Sequence, residues 1–104
     1  MTKEECEQVK KSGYDMAARL AAMTDVPSPN DWAAKIIVRD IGQSTISSGN
    51  DRGIDPAGIV MMQERTGIDL TSFLLLERDD QVLAAAFLSG GALQFAAEHP
   101  DKKD

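Results

Sequence analysis

The chain has very few of the residues on which most enzyme chemistry depends. Its 104 residues include one cysteine, Cys6, and one histidine, His99. A single cysteine excludes an internal disulfide framework, as is typical of a reducing compartment. A tetrahedral zinc site needs four good ligands, more than one cysteine and one histidine supply. A Cys–His nucleophilic pair would require the two ends of the chain to meet. The sequence therefore predicts a protein that is not an enzyme.

Motifs for bound cofactors and metals are also missing. The chain has no G-x-G-x-x-G and no G-x-x-x-x-G-K-[ST], so neither dinucleotide nor P-loop binding has a signature. The segment "GNDRGID" places oxygen ligands around a glycine, which suggests a calcium loop. With Gly53 at the sixth loop position, Arg52 falls at the fifth and Ile59 at the twelfth, where calcium needs oxygen ligands. We therefore expect no metal and no cofactor.

Long apolar runs and a secretory leader are absent as well. No segment approaches the roughly 20 apolar residues that a membrane helix requires. The N-terminal "MTKEECEQ" is acidic and contains no apolar stretch, unlike a secretory signal. The expectation is a cytoplasmic protein without membrane contact. Aromatic residues make up only 5%, so aliphatic side chains and methionine must fill its core.

Positive charge is scarce relative to negative charge. The chain has 11 Lys and Arg against 17 Asp and Glu, which gives a net charge of −6. This balance disfavours direct nucleic-acid binding and favours a basic partner, although solubility alone also explains mild acidity. Local acidic concentrations occur at Glu4 and Glu5 and at Glu77, Asp79 and Asp80.

What the chain does have is a succession of helix signals. Thr2 and Glu5 form a capping box, after which apolar residues step by threes and fours. The residues of this stripe are Cys6, Val9, Gly13, Met16, Leu20 and Met23. At Gly13 the missing side chain would allow a second backbone to approach. Core packing is the favoured interpretation, and a homodimer through helix 1 is the alternative.

Further start and stop signals divide the rest of the chain. Ser28 and Pro29 begin a second helix that should end near Ile41, with Gly42 as a left-handed stop. A third helix is predicted from Pro56 to Thr66, with Gly67 just beyond it.

Short helices should follow through "SFLLLER", "QVLAAAFL" and "ALQFAAEH". Asp79 or Asp80 is predicted to cap the second of these. Whether residues 81–98 form one bent helix or two stays open, since two glycines disfavour a helix interior by about 2 kcal/mol. The sequence thus predicts an all-α, compact single domain over residues 1–99 with five or six short helices, one long polar loop at about 42–54, and a disordered tail over 100–104.

The polar loop and the second acidic cluster are the candidate binding residues. Loops of this length in a small domain are either functional or slack, and this one combines polar, apolar and arginine side chains. Its predicted partner-binding residues are Ile46, Ser48, Asn50, Asp51 and Arg52. Glu77, Asp79 and Asp80 would steer association with a basic surface.

These observations predict a non-catalytic regulator, inhibitor or adaptor that docks on a larger, basic protein, for example one that handles nucleic acid. The alternative is a small helix-turn-helix DNA-binding regulator using residues 81–98, because "SGG" lies between two helical patterns there. That segment lacks the arginines and lysines that such a reader normally carries.

Overall fold

The computed structural model describes residues 1–43 and 56–102, and over these residues the protein consists of helices and connecting turns. The helices are α1 (Lys3–Ala22), α2 (Pro29–Ile37), α3 (Pro56–Thr66), α4 (Thr71–Leu74) and α5 (Arg78–Glu98), with a π-helical segment (Val38–Gln43) directly after α2. The predicted all-α fold is confirmed. No described helix is both long enough and apolar enough to cross a membrane.

Helix α1 begins as its capping box predicts. The Thr2 hydroxyl accepts a hydrogen bond from the Glu5 backbone N–H, and the Glu5 carboxylate accepts one from the Thr2 N–H. The apolar stripe is buried from Val9 to Leu20, which confirms the core interpretation. Met23 lies outside the core with 60% of its surface exposed.

Helices α1 and α5 form the largest helix–helix contact, and two glycines bring their backbones together. A Cβ added to Gly13 would overlap the Leu88 carbonyl oxygen, and one added to Gly91 would overlap the Lys10 carbonyl oxygen. The predicted close approach at Gly13 is therefore confirmed. The part of the stripe from Val9 to Leu20 packs in the core, as the favoured interpretation predicts, and the alternative of a homodimer through helix 1 stays a prediction.

Residues 81–98 belong to one continuous helix. Helix α5 passes through Ser89, Gly90 and Gly91 without interruption. The glycine that disfavours helix formation at position 91 is the residue that permits contact with α1, so tertiary packing outweighs local propensity. The helix-turn-helix outline is accordingly wrong, because this segment contains no turn.

Helix α2 is shorter than predicted. It ends at Ile37 and continues as the π-helical segment, and Gly42 does not adopt a left-handed conformation. A Cβ at Gly42 would overlap the Ser89 hydroxyl, so this glycine serves close packing against α5. Residues 42 and 43 therefore do not belong to the predicted loop, and the rest of its predicted range lies outside the described residues.

The N-terminus of α2 is capped from the far end of the chain. The Ser28 side chain makes no capping hydrogen bond. Instead, the two carboxylate oxygens of Asp101 accept hydrogen bonds from the backbone N–H groups of Asn30 and Asp31, both at 3.0 Å. The structure thus differs from the predicted disordered tail at Asp101, because a charge-assisted cap ties this residue to α2.

Helix α3 follows its sequence signals closely. It ends at Thr66, and Gly67 adopts the predicted left-handed conformation with φ of 72°. The Arg19 guanidinium of α1 donates a hydrogen bond to the Thr66 carbonyl at 2.9 Å. A cation at a helix C-terminus is favoured by the helix dipole, so this contact links α3 to α1.

The short α4 and the start of α5 differ from prediction. Helix α4 spans only one turn, and Asp69 accepts a hydrogen bond from the Thr71 N–H at 2.9 Å before it. Asp79 and Asp80 lie inside the first turn of α5 and are not caps, since Glu77 occupies the N-cap position. Their carboxylates still favour the helix, because its N-terminal end carries partial positive charge.

Candidate protein-interaction surfaces

The predicted binding residues in the polar loop lie outside the described part of the chain. These are Ile46, Ser48, Asn50, Asp51 and Arg52. Their role in binding a partner remains a prediction.

An acidic, partly apolar surface lies where α5 begins, and we name it the acidic corner. Its residues are Leu75, Glu77, Asp79, Val82 and Leu83, all of them exposed. Leu75 has 82% of its surface exposed, which is the largest value among the exposed large hydrophobic residues. Val82 and Leu83 are three and four residues after Asp79, so the three side chains share one helix face. The corner thus combines an apolar projection with two carboxylates.

Asp80 takes a different position from the other two predicted acidic residues. Its carboxylate accepts a hydrogen bond from the Met1 amino group at 3.2 Å, and the residue is half-buried. This contact raises the pKa of the amino group, mainly through the hydrogen bond and the charge of Asp80. Of the three predicted residues, Glu77 and Asp79 therefore form the outward-facing acidic surface.

A second surface is an apolar pocket between α2 and α5, which we name the Trp32 pocket. It has a volume of about 440 Å³ and is lined by Trp32, Lys35, Ile36, Val38, Arg39 and Leu93. Lys35 pairs with Asp31 at 2.9 Å, and Arg39 pairs with Asp40 at 2.9 Å. Both cationic side chains remain largely exposed, so the apolar floor carries a basic rim.

Sequence analysis missed the Trp32 pocket although half of its signal was present. Trp32 and Ile36 are four residues apart, a spacing that predicts both on one face of the second helix. Leu93 completes the floor from α5, and no local pattern connects two segments so far apart in sequence. One sequence signal for an apolar surface on this helix was available, because no charged residue lies between Asp80 and Glu98.

His99 is fixed in place by an aromatic cluster. Its Nε2 lies 2.9 Å from the Tyr14 hydroxyl, and its ring centroid lies 4.9 Å from that of Phe95. The Tyr14 hydroxyl also donates to Glu98 at 3.2 Å. Desolvation raises the pKa of Tyr14 and the bond to Glu98 adds to this, so the phenol keeps its proton at neutral pH. Cys6 lies about 12 Å from Tyr14 along α1, at 1.5 Å per residue, so it is not part of this cluster around His99.

Within residues 1–43 and 56–102, no three His, Cys, Asp or Glu side chains are grouped in a way that could hold a metal ion. Comparisons with protein-family models, curated proteins and solved structures gave no significant match.

Proposed function

We propose that this protein is a non-catalytic regulator, inhibitor or adaptor that binds a larger protein through the acidic corner. The observation that carries the proposal is Leu75, exposed over 82% of its surface beside the carboxylates of Glu77 and Asp79. Isolated exposed leucines are common on protein surfaces. Here the leucine lies three residues before α5, whose first turns carry the exposed Val82 and Leu83. Such a combination suits an interface with an apolar centre and a charged rim.

The charge of the corner defines the partner. Glu77 and Asp79 would meet a basic surface, and the net charge of −6 would speed the encounter through long-range attraction. Leu75 would then enter an apolar depression on that surface. A protein that handles nucleic acid is one class with such a surface.

Site-specific photocrosslinking tests this proposal in the native cell. A photoreactive phenylalanine derivative replaces Leu75 in one variant and Met23 in a control variant. Met23 is a matched control because it is an apolar side chain exposed over 60% of its surface at the end of α1. We expect a protein crosslinked from position 75 and not from position 23. Identical crosslinks from both positions, or none from position 75, would count against the acidic corner.

Binding of the purified crosslinked partner then tests the chemistry. The double variant Glu77→Gln, Asp79→Asn removes the two charges while keeping the side-chain sizes. We expect it to slow association and to remove most of the salt dependence. An unchanged association rate would show that the charges do not act in recognition.

A further inference from the structure

Helix α5 has an outer face that contains no charge, and we name it the outer stripe. Its residues are Val82, Ala86, Gly90, Leu93 and Ala97. Their spacing of four, four, three and four residues places them on one side of the helix. Val82, Ala86, Leu93 and Ala97 are exposed, and Gly90 is half-buried. A helix that is apolar on every side is normally covered on every side.

We propose that a second copy of this chain covers the outer stripe, with the two α5 helices antiparallel about a twofold axis. The axis would pass near Ala86 and Gly90, so that Val82 of each copy faces Leu93 of the other. A twofold contact is self-complementary, which requires each copy to supply both halves of every pair. The outer stripe meets this requirement in shape and in charge.

Gly90 and the Trp32 pocket give the outer stripe a shape that a second helix can fit. Among the residues that the structure describes, a Cβ placed on Gly90 would have nothing within 4 Å, so the centre of the stripe can accept an approaching helix. Leu93 is exposed over 53% of its surface and forms part of the pocket floor. In the antiparallel arrangement, Val82 and Leu83 of the second copy reach this pocket.

Charged residues lie near both ends of the outer stripe. The acidic residues Glu77 and Asp79 precede it, whereas Lys35 lies beside its other end. Helix α2 runs antiparallel to α5, because Asn30 donates a hydrogen bond to the His99 carbonyl while Gly42 adjoins Ser89. Lys35 therefore lies level with the last turns of α5.

Antiparallel pairing would bring one pair of unlike charges together at each end of the contact. Asp79 of one copy would lie near Lys35 of the other. Lys35 is free to move toward a second carboxylate, since 76% of its side chain is exposed and its pair with Asp31 is a surface contact. Parallel pairing would instead place the two acidic corners against each other and oppose association.

This pairing would cover the acidic corner, so a bound partner and a second copy would compete for the same residues. The self-association itself does not depend on the proposed function. Its test uses the purified full chain alone, so failure of one proposal is distinguishable from failure of the other.

Sedimentation velocity over a range of protein concentrations measures the association. We expect a reversible shift from the 11.2 kDa monomer to a species of twice that mass. A monomer at every concentration would overturn the proposal, as would growth into larger open assemblies, which a twofold contact does not allow.

Gly90→Glu is the first variant because it leaves the fold intact. The new side chain enters open space and glutamate is a better helix former than glycine. Each copy would bring a carboxylate to the centre of an apolar contact, so we expect dimer affinity to fall by roughly tenfold or more. Unchanged affinity, with helix content confirmed by circular dichroism, would exclude the outer stripe.

A charge exchange tests the antiparallel arrangement. Asp79→Lys and Lys35→Glu should each weaken the dimer by roughly tenfold, because twofold symmetry applies each change twice. The double variant restores opposite charges and should recover the affinity. If each single variant weakens the dimer and the double variant weakens it further, the proposed pairing is wrong.

Discussion

Gly90 and Gly91 are neighbours in the middle of α5, and only Gly91 lies against another backbone. A Cβ on Gly91 would overlap the Lys10 carbonyl oxygen and stand 2.9 Å from the Tyr14 nitrogen. The same atom on Gly90 would meet open space. Gly91 therefore has a packing role in the monomer, whereas Gly90 only weakens the helix locally there.

The two glycines should respond in opposite directions to the same substitution. Gly90→Ala should raise the free energy of unfolding by about 0.5–1 kcal/mol, because alanine favours the helix. Gly91→Ala should lower it by about 1–3 kcal/mol or more, since α1 must move away. Urea denaturation measures both at a protein concentration low enough to keep the chain monomeric. Equal effects of the two changes would contradict the observed α1–α5 contact.

Glu5 links the stability of α1 to pH. The backbone N–H of Thr2, followed by its hydroxyl, lowers the pKa of Glu5 below its ordinary value of 4.5. Because the folded state holds the charged form, its contribution is present above pH 4.5 and is lost as pH falls through the lowered pKa. Glu5→Gln keeps an acceptor for the capping box but does not titrate.

We therefore expect the free energy of unfolding of Glu5→Gln to fall less steeply than that of the wild type below pH 4.5. Urea titrations at a series of pH values give the comparison. Glu7→Gln is the control, as it removes a carboxylate outside the capping box. If the free energy of unfolding of Glu5→Gln falls with pH as steeply as that of the wild type, Glu5 in the capping box does not cause the loss of stability at low pH.

At the scale of elements, α2 shows how a local signal can be replaced by a distant one. Ser28 before Pro29 has the sequence of an N-cap, yet its side chain makes no cap. Asp101 supplies both acceptors from beyond the end of α5. A carboxylate satisfies two backbone N–H groups and also interacts favourably with the helix dipole, which explains why it replaces a neutral hydroxyl.

Alanine substitutions separate the two capping residues. Asp101→Ala should lower the free energy of unfolding by about 1–2 kcal/mol, which is the typical loss for a cap. Ser28→Ala should change it by less than about 0.5 kcal/mol, as expected for a surface side chain outside such a contact. Thermal and urea unfolding provide the values. A larger loss from Ser28→Ala than from Asp101→Ala would contradict the structure.

The elements that could be predicted are those whose signals are local. The capping box of α1, the limits of α3 and the left-handed Gly67 all follow from residues within a few positions of each other. The continuity of α5 could not be predicted, because the contact of Gly91 with Lys10 involves residues far apart in the chain. The same reason explains the Trp32 pocket, where Trp32 and Ile36 on α2 meet Leu93 from another helix.

At the scale of the whole molecule, the net charge and the geometry of α5 determine which class of partner we expect the protein to bind. The net charge is −6, and the exposed carboxylates of the acidic corner lie at the start of α5. Helix α5 has no internal turn, and the amide of Gln94 donates to the Glu98 carboxylate at 2.6 Å. The segment 81–98 therefore lacks the two-helix geometry of a helix-turn-helix, and the amide of its Gln94 is already bound to a carboxylate.

Salt titrations of binding to two polyelectrolytes should consequently give opposite results. We expect no binding of the purified protein to random duplex DNA at low salt, since its net charge of −6 opposes approach to the phosphates. Polylysine is the matched probe, and the acidic corner should bind it with an affinity that falls as salt rises. Fluorescence anisotropy measures both. DNA affinity that falls steeply with salt would instead favour a DNA-binding regulator, because only direct phosphate contacts produce that dependence.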